Sequence, residues 1–169
     1  AGIYIPTLRY HPVLKPSGSC RMCMVEIEKM RGPVTACTTP AGEGMVVKTD
    51  TPLIQKLRRA TLELILTEHP HMCLTCWRRK RCSPYDICLR NVAVTERCVL
   101  CPENGNCQLQ MAMDHIGLKE LPPYVDKKLP VREDNPLFIR DHNLCILCER
   151  CVRVCHDIRG RKATIEFSF

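Results

Sequence analysis

Apolar and polar residues alternate within the first fifty positions of the chain. Between Cys23 and Glu28 the alternation has a period of two, which is typical of a half-buried β-strand. Two more strands are predicted at Pro33–Cys37 and Met45–Lys48, and the turn-forming residues 40–44 separate them. Residues 1–50 are therefore predicted to form a small β-rich segment.

A helical period follows this segment. Asp50 or Thr51 can cap a helix that has Pro52 in its first turn and ends near Thr67, before Pro70. Its predicted apolar face consists of Leu53, Ile54, Leu57, Ala60, Thr61, Leu64 and Ile65. A second, shorter helix is predicted over Gln108–Ile116. Its apolar positions are Leu109, Ala112, Met113 and Ile116.

The remaining stretches lack a regular period. Residues 69–107 are dense in cysteine and predict loops around metal, whereas residues 119–143 carry four prolines and predict an extended linker. Residues 144–158 predict a turn that runs into a helix, and residues 165–169 resemble a strand. Both ends are expected to be cut, because the chain lacks an initiator Met and residues 1–50 lack the strands of a complete sheet. The expected fold class is α+β.

Cysteine usage changes this picture most. The 169 residues include 14 cysteines but only one Trp, four Tyr and three Phe. Because the apolar core is small, disulfides or bound metals are needed to stabilise these segments. Short Cys-x2-Cys spacings recur at 20/23, 73/76, 98/101 and 145/148/151. Such spacing brings thiolates to one centre, which favours metal over disulfides. Thiolate ligation implies a reducing compartment, so we expect a cytoplasmic location. The chain could belong to a membrane-associated complex, but we expect no direct membrane insertion.

The formal charge of +7 would ordinarily suggest nucleic acid as a partner. Ligating cysteines are thiolates, however, and bound clusters would leave the net charge near neutrality. We therefore expect no nucleic-acid partner. The basic run Trp77–Arg81 lies between two candidate ligands and is interpreted as screening an anionic cluster or forming a docking face. A zinc-stapled interaction module without redox function is the alternative.

The motif nearest the C-terminus gives the strongest signal for iron–sulfur chemistry. Cys145, Cys148, Cys151 and Cys155 follow the spacing x2, x2, x3 that wraps a loop around a four-iron cluster. His156 stands where bacterial ferredoxins have proline. Cys155 either completes this cluster or serves another one further along the chain.

The middle region contains two copies of a Cys-x2-Cys-x5-Cys unit. One copy is Cys73, Cys76 and Cys82, and the other is Cys98, Cys101 and Cys107. His69 and Cys88 bring the set to eight ligands, enough for two four-ligand sites. Two pairings are open: His69 with the first copy and Cys88 with the second, or Cys88 with the first copy and His69 with the second.

The first region offers only three thiolates, Cys20, Cys23 and Cys37. A plant-type two-iron site needs four ligands, and Arg9 cannot ligate because its guanidinium stays protonated. His11 is the nearest substitute; otherwise the site is vestigial or takes a ligand from outside the protein. No phosphate loop, paired acid–base carboxylates or nucleophile–His arrangement stands out, so no catalytic residues are predicted.

Together these motifs resemble the iron–sulfur N-terminal region of the complex I 75-kDa (large) subunit. The same region occurs in NAD-linked formate dehydrogenases, iron-only hydrogenases and diaphorase subunits of bidirectional hydrogenases. The resemblance is carried by residues 5–8, 10–12, Gly18–Cys23, Ala36–Pro40, Glu43–Val47, His69-Pro70, Cys107–Gln110 and Cys145–Cys155. It implies electron transfer between a flavin-containing NADH-dehydrogenase-like subunit and a catalytic oxidoreductase subunit, through about three [4Fe-4S] clusters and a candidate [2Fe-2S] cluster.

The resemblance also implies a segment order. Residues 1–50 would be a truncated plant-type ferredoxin-like β-grasp segment, and residues 51–118 a helix plus the His/Cys cluster region. Residues 119–143 would be the linker, and residues 144–169 the start of a ferredoxin-like four-iron domain. Two departures stand out: Arg9 occupies the first two-iron ligand position, and extra sequence carries Cys73, Cys76, Cys82 and Cys88. The extra sequence favours the second pairing, with an inserted four-cysteine site beside the family's His site.

Overall fold

The computed structural model describes residues 2–88 and 97–158, and it confirms the α+β class. The strand-like run at 165–169 lies outside the described residues. The chain divides into two compact units. The first unit comprises the described residues of Ala1–Thr61 and Leu147–Phe169, and the second comprises those of Leu62–Ile146.

A three-stranded antiparallel sheet forms the centre of the first unit. Strand β1 (Met24–Ile27) lies between β2 (Val34–Thr35) and β3 (Val47–Lys48). Val25 pairs with Val34, and Ile27 pairs with Val47. Met24 lies on the Glu26 side of the alternation, yet it is buried like Cys23 and Val25, so the central strand is covered on both faces at this position.

Helix α1 (Pro52–Leu66) has the predicted bounds but not the predicted face. The Thr51 hydroxyl caps it by accepting from the Ile54 N–H at 3.3 Å. Leu53 and Leu64 are exposed, so their assignment to the apolar face was wrong. The buried stripe instead consists of Ile54, Arg58, Leu62 and Leu66, each four residues after the last.

Arg58 explains the shifted face of α1. Its side chain is 1% exposed, and its guanidinium donates to the carbonyl oxygens of Met22 at 3.2 Å and Met24 at 2.9 Å. Burial lowers the pKa of Arg58, although a guanidinium remains charged at neutral pH. Arg58 counted as a polar, exposed residue in the prediction from sequence, which therefore placed the buried face of α1 on adjacent positions.

We expect Arg58→Ala to lower the free energy of unfolding by about 3 kcal/mol, because two buried carbonyls lose their donors. Urea unfolding followed by circular dichroism measures this change. Arg59→Ala is the matched control: Arg59 is exposed on the same helix, and its loss should cost at most about 0.5 kcal/mol. Equal effects of the two substitutions would contradict a structural role for the Arg58 contacts.

Helix α2 (Gln108–Ile116) belongs to the second unit and has the predicted bounds and buried face. Gly117 ends it with a φ of 66°, a left-handed conformation that lets its N–H donate to the Met113 carbonyl at 2.9 Å. The proline-rich stretch then returns to the end of α1, where Val125 N–H donates to the Thr67 carbonyl at 2.7 Å.

Short helical pieces complete the described chain. Single 3-10 turns occur at Arg79–Arg81, Cys98–Leu100 and His142–Leu144. Helix α3 (Arg150–Arg153) continues into a π-helical turn at Val154–Ile158, as the sequence predicted for a turn running into a helix. Within residues 2–88 and 97–158, no helix is long and apolar enough to cross a membrane.

Candidate metal centres

The second unit contains a cavity of about 330 Å³ that we call the His69 cavity. One imidazole and three thiols line it: His69, Cys98, Cys101 and Cys107. Leu74, Leu109 and Leu144 provide much of its apolar wall. A complete set of four donors therefore faces one space.

His69 is held in the tautomer that a metal ligand needs. Its Nδ1 lies 2.8 Å from the carbonyl oxygen of Pro70, and a carbonyl can only accept, so Nδ1 carries the proton. The lone pair consequently lies on Nε2. Burial lowers the pKa of His69, which keeps the ring neutral at pH 7.

A neighbouring cavity of about 120 Å³ is lined by a second set of donors, and we call it the four-cysteine cavity. Its thiols come from Cys73, Cys76, Cys82 and Cys88. Cys98 lines both cavities. The inserted segment thus has a cavity and four donors of its own.

Tight turns place the thiols of each Cys-x2-Cys pair. Cys76 N–H donates to the Cys73 carbonyl at 3.0 Å, and Cys101 N–H donates to the Cys98 carbonyl at 3.1 Å. The two turns meet where Cys98 N–H donates to the Cys73 Sγ at 3.5 Å. The Cys73 side chain, together with burial, raises the pKa of Cys98, so a metal must displace a proton to bind this sulfur.

Cys20, Cys23 and Cys37 come together in the first unit. Cys23 is buried at the start of β1, and its carbonyl accepts the N–H of Ala36 at 3.0 Å, which brings Cys37 alongside. Burial raises the pKa of Cys23 to about 11, and the neighbouring Cys37 and Cys20 thiols add to the shift. These three sulfurs form a group of candidate cluster ligands without a fourth thiol.

Arg9 stands near this set and has other partners. Its guanidinium donates to the Ser19 hydroxyl at 2.5 Å and forms an ion pair with Glu149 at 2.9 Å. Both residues of that pair belong to the first unit. His11 is exposed, and its Nδ1 accepts the Val13 N–H at 3.4 Å. Both side chains thus have hydrogen-bond partners other than the three thiols.

The C-terminal motif spans the division of the chain: Cys145 falls in the second unit, and Cys148, Cys151 and Cys155 fall in the first. The turns of this motif contain left-handed residues, Leu147 with a φ of 53° and Glu149 with a φ of 58°. Arg21, between Cys20 and Cys23, has the same conformation. Such non-glycine conformations are costly and expose backbone N–H groups to a bound anion, as in a cluster-binding loop.

Between residues 2 and 88 and between 97 and 158, no three His, Cys, Asp or Glu side chains are placed to hold a single metal ion. A cluster of several irons has a larger core than an ion, so its ligands line a cavity instead of surrounding a point. All fourteen cysteines lie in these ranges, and each is a thiol and not half of a disulfide. Two cavities, with four donors each when the shared Cys98 is counted with His69, suit clusters.

Two family models match this chain. Residues 1–52 match a 2Fe-2S iron-sulfur cluster binding domain. Residues 58–90 match the NADH-ubiquinone oxidoreductase-G iron-sulfur binding region. The chain therefore carries iron–sulfur regions of the kind found in NADH-ubiquinone oxidoreductase-G. The resemblance inferred from the sequence is thereby confirmed, and these matches do not favour the zinc-stapled module.

Two relatives align with almost the whole chain. The mitochondrial NADH-ubiquinone oxidoreductase 78 kDa subunit of Neurospora crassa is 36% identical over 95% of this chain. The NADPH-Fe(3+) oxidoreductase subunit alpha of Geobacter sulfurreducens is also 36% identical, over 96% of it. The chain spans only 18% of the length of the first protein and 16% of the second.

One solved structure has a similar fold. It is described as an NAD+-reducing [NiFe]-hydrogenase in the H2-reduced state, and it aligns with a TM-score of 0.67 and 26% identity. The alignment covers 98% of this chain and 59% of that one. The fold of this chain is therefore shared with that hydrogenase chain.

The two cavities divide the predicted ligands: His69 lines one with the second cysteine copy, and Cys88 lines the other with the first. The family match at 58–90 contains His69 and the first cysteine copy, whereas the cavity places His69 with the second copy, beyond that match. Sequence reasoning missed Arg97, which lines both cavities, and Glu149, which holds Arg9. Both are charged residues next to candidate ligands in sequence, the one signal that could have indicated them.

Proposed function

We propose that the chain transfers electrons, through bound iron–sulfur clusters, between a flavin-containing NADH-dehydrogenase-type subunit and a second redox site. That site would belong to a catalytic oxidoreductase subunit such as a hydrogenase or formate dehydrogenase. The names of the relatives support this, since they are subunits of oxidoreductases that use NADH, NADPH or NAD+. Bound clusters supply the one-electron chemistry, and the chain holds, spaces and shields them.

The His69 cavity carries the proposal. A neutral imidazole in the ligating tautomer and three thiols line one largely apolar space. Apolar walls limit access of water and lower the local dielectric, which sets the potential of a bound cluster. No general acid or base is needed for such a site.

The other predicted ligands are assigned as follows. We propose that Cys145, Cys148, Cys151 and Cys155 hold a four-iron cluster, and that Cys20, Cys23 and Cys37 are the remaining ligands of a two-iron site. Residues 1–50 would then be a truncated β-grasp segment and residues 144–169 the start of a four-iron ferredoxin-like domain. A cytoplasmic location would keep all these thiolates reduced.

In the anaerobically purified complex, we expect NADH to reduce the iron centres, seen as bleaching of their visible absorption and as new paramagnetic signals. Iron and acid-labile sulfide should each amount to roughly 12 atoms per chain, because three four-ligand sets are complete. The electrons must pass through the flavin subunit, so its removal should abolish reduction by NADH.

The matched control is reduction by dithionite, which needs no flavin. Dithionite should reduce the centres with or without the flavin subunit. If dithionite succeeds and NADH fails in the intact complex, the proposed partner is wrong. If the protein is colourless and loaded with zinc, electron transfer itself is refuted.

A further inference from the structure

We propose that the inserted segment binds an additional iron–sulfur cluster in the four-cysteine cavity, separate from the cluster of the His69 cavity. The proposal rests on the electron-transfer function above and deepens it. It gives the chain two adjacent centres where the family match at 58–90 describes one iron–sulfur binding region.

The grouping of donors separates the two centres. In the described part of the chain, Cys73, Cys76, Cys82 and Cys88 line the four-cysteine cavity and are absent from the wall of the His69 cavity. His69 lines only its own cavity. Joining His69 to the first cysteine copy would require one cluster to take ligands from both spaces. Only Cys98 lines both spaces, and when it is counted with His69 each centre has four donors, the number that a cubane cluster takes.

Two arginines fix the inserted segment around its cavity. Arg97 donates to the carbonyl oxygens of Pro84 and Asp86, both at 2.7 Å. Arg79 donates to the Leu74 carbonyl at 3.0 Å. It also donates to both carboxylate oxygens of Asp114, Oδ1 at 2.7 Å and Oδ2 at 2.6 Å. These contacts order the loop from both sides, so little reorganisation is needed to bring its thiols to a cluster.

The charges around the cavity complement the proposed ligand. Four thiolates leave a cluster with net negative charge, which is costly to bury alone. Arg78, Arg79 and Arg97 line the same cavity and can offset that charge. The basic run that could have indicated nucleic acid is thereby assigned to screening an anionic centre.

The fourth ligand should give the two centres different potentials. Their Cys-x2-Cys-x5-Cys units have the same spacing, but Cys88 completes one set and His69 the other. Imidazole is neutral and thiolate is anionic, so the cluster of the His69 cavity should be the easier to reduce. The hydrogen bond from Cys98 N–H to Cys73 Sγ connects the two ligand sets directly.

Double substitutions distinguish the two pairings. In the anaerobically purified holoprotein, Cys82→Ala and Cys88→Ala should each remove roughly four irons, and the double variant should lose no more than either single one. Cys88→Ala combined with Cys107→Ala should instead lose roughly eight. The other pairing predicts the reverse for both double variants. Tyr85→Ala, an exposed change in the same loop, should keep all the iron.

Spectroscopy provides a second readout that follows the His69 centre itself. Pulsed paramagnetic resonance of the wild-type protein should show nitrogen coupling on one four-iron centre, and His69→Cys should abolish the coupling and lower that centre's potential. Cys82→Ala should keep the coupling, whereas the other pairing predicts its loss. Loss of the coupling in Cys82→Ala, a wild-type iron count roughly four atoms lower, or zinc in the four-cysteine cavity would overturn the proposal. None of these outcomes affects reduction of the remaining clusters by NADH, so the proposed function is tested separately.

Discussion

Removal of iron with a chelator is expected to unfold the stretch from His69 to Cys107 while the sheet of the first unit stays folded. In the described part of that stretch, Leu74 is the only buried apolar side chain, and its regular structure is limited to two 3-10 turns. Structural metals can contribute about 10–16 kcal/mol to the folding of such small segments. Without them, little opposes the entropy of the loops.

The sheet has a different source of stability. Met22, Met24, Val25 and Ile54 are buried in the first unit, and Arg58 ties α1 to the strand. Hydrogen exchange measured by mass spectrometry should therefore show full loss of protection at 73–82 after chelation, and retained protection at Met24–Ile27. Re-adding iron and sulfide under reducing conditions should restore it. Unchanged protection at 73–82 in the iron-free protein would show that the loops fold without metal.

Restoring a thiol at position 9 is expected to create a two-iron cluster. Cys20, Cys23 and Cys37 supply three thiolates, and residues 1–52 match a 2Fe-2S cluster binding domain. The resemblance implies that Arg9 occupies the position of the family's first ligand, and Ser19 and Glu149 hold its guanidinium. We therefore expect the wild-type protein to bind no two-iron cluster, and Arg9→Cys to gain roughly two irons with a new two-iron paramagnetic signal.

Two control variants separate the thiol from the loss of the arginine. Arg9→Ala removes the ion pair, which is partly exposed and contributes at most about 1 kcal/mol, and it should gain no iron. Arg31→Cys adds a thiol at an exposed position in the same unit and should also gain none. A two-iron signal in the wild-type protein would mean that another ligand, such as His11, already completes the site.

The sequence was sufficient to predict helices whose bounds and buried faces depend on neighbouring residues. Helix α2 was predicted residue by residue, because its apolar stripe is unbroken and Gly117 ends it. The bounds of α1 followed from Thr51 and Pro52, but its buried face did not. Arg58 is buried because it donates to the carbonyls of Met22 and Met24, which precede it by more than thirty positions.

The grouping of ligands could not be derived from spacing. The two cysteine copies have identical spacing, so the sequence is compatible with either partner for His69. The choice depends on contacts between distant positions, such as that of Cys73 with Cys98. The partner of Arg9 was beyond reach for the same reason, since Glu149 lies 140 positions away.

Helix α3, which lies within the C-terminal cysteine motif, holds the loop at residues 9–15 in a way that tolerates sequence change. Arg150 donates to the carbonyl of Tyr10 at 2.8 Å, and Arg153 donates to the carbonyls of Arg9 and Lys15. Every residue has a carbonyl, so these contacts survive almost any side-chain replacement in the loop that they hold. A cysteine at position 9 could therefore be exchanged for arginine during evolution without detaching the loop. Loss of a cluster ligand and preservation of the fold are thus independent events in this part of the chain.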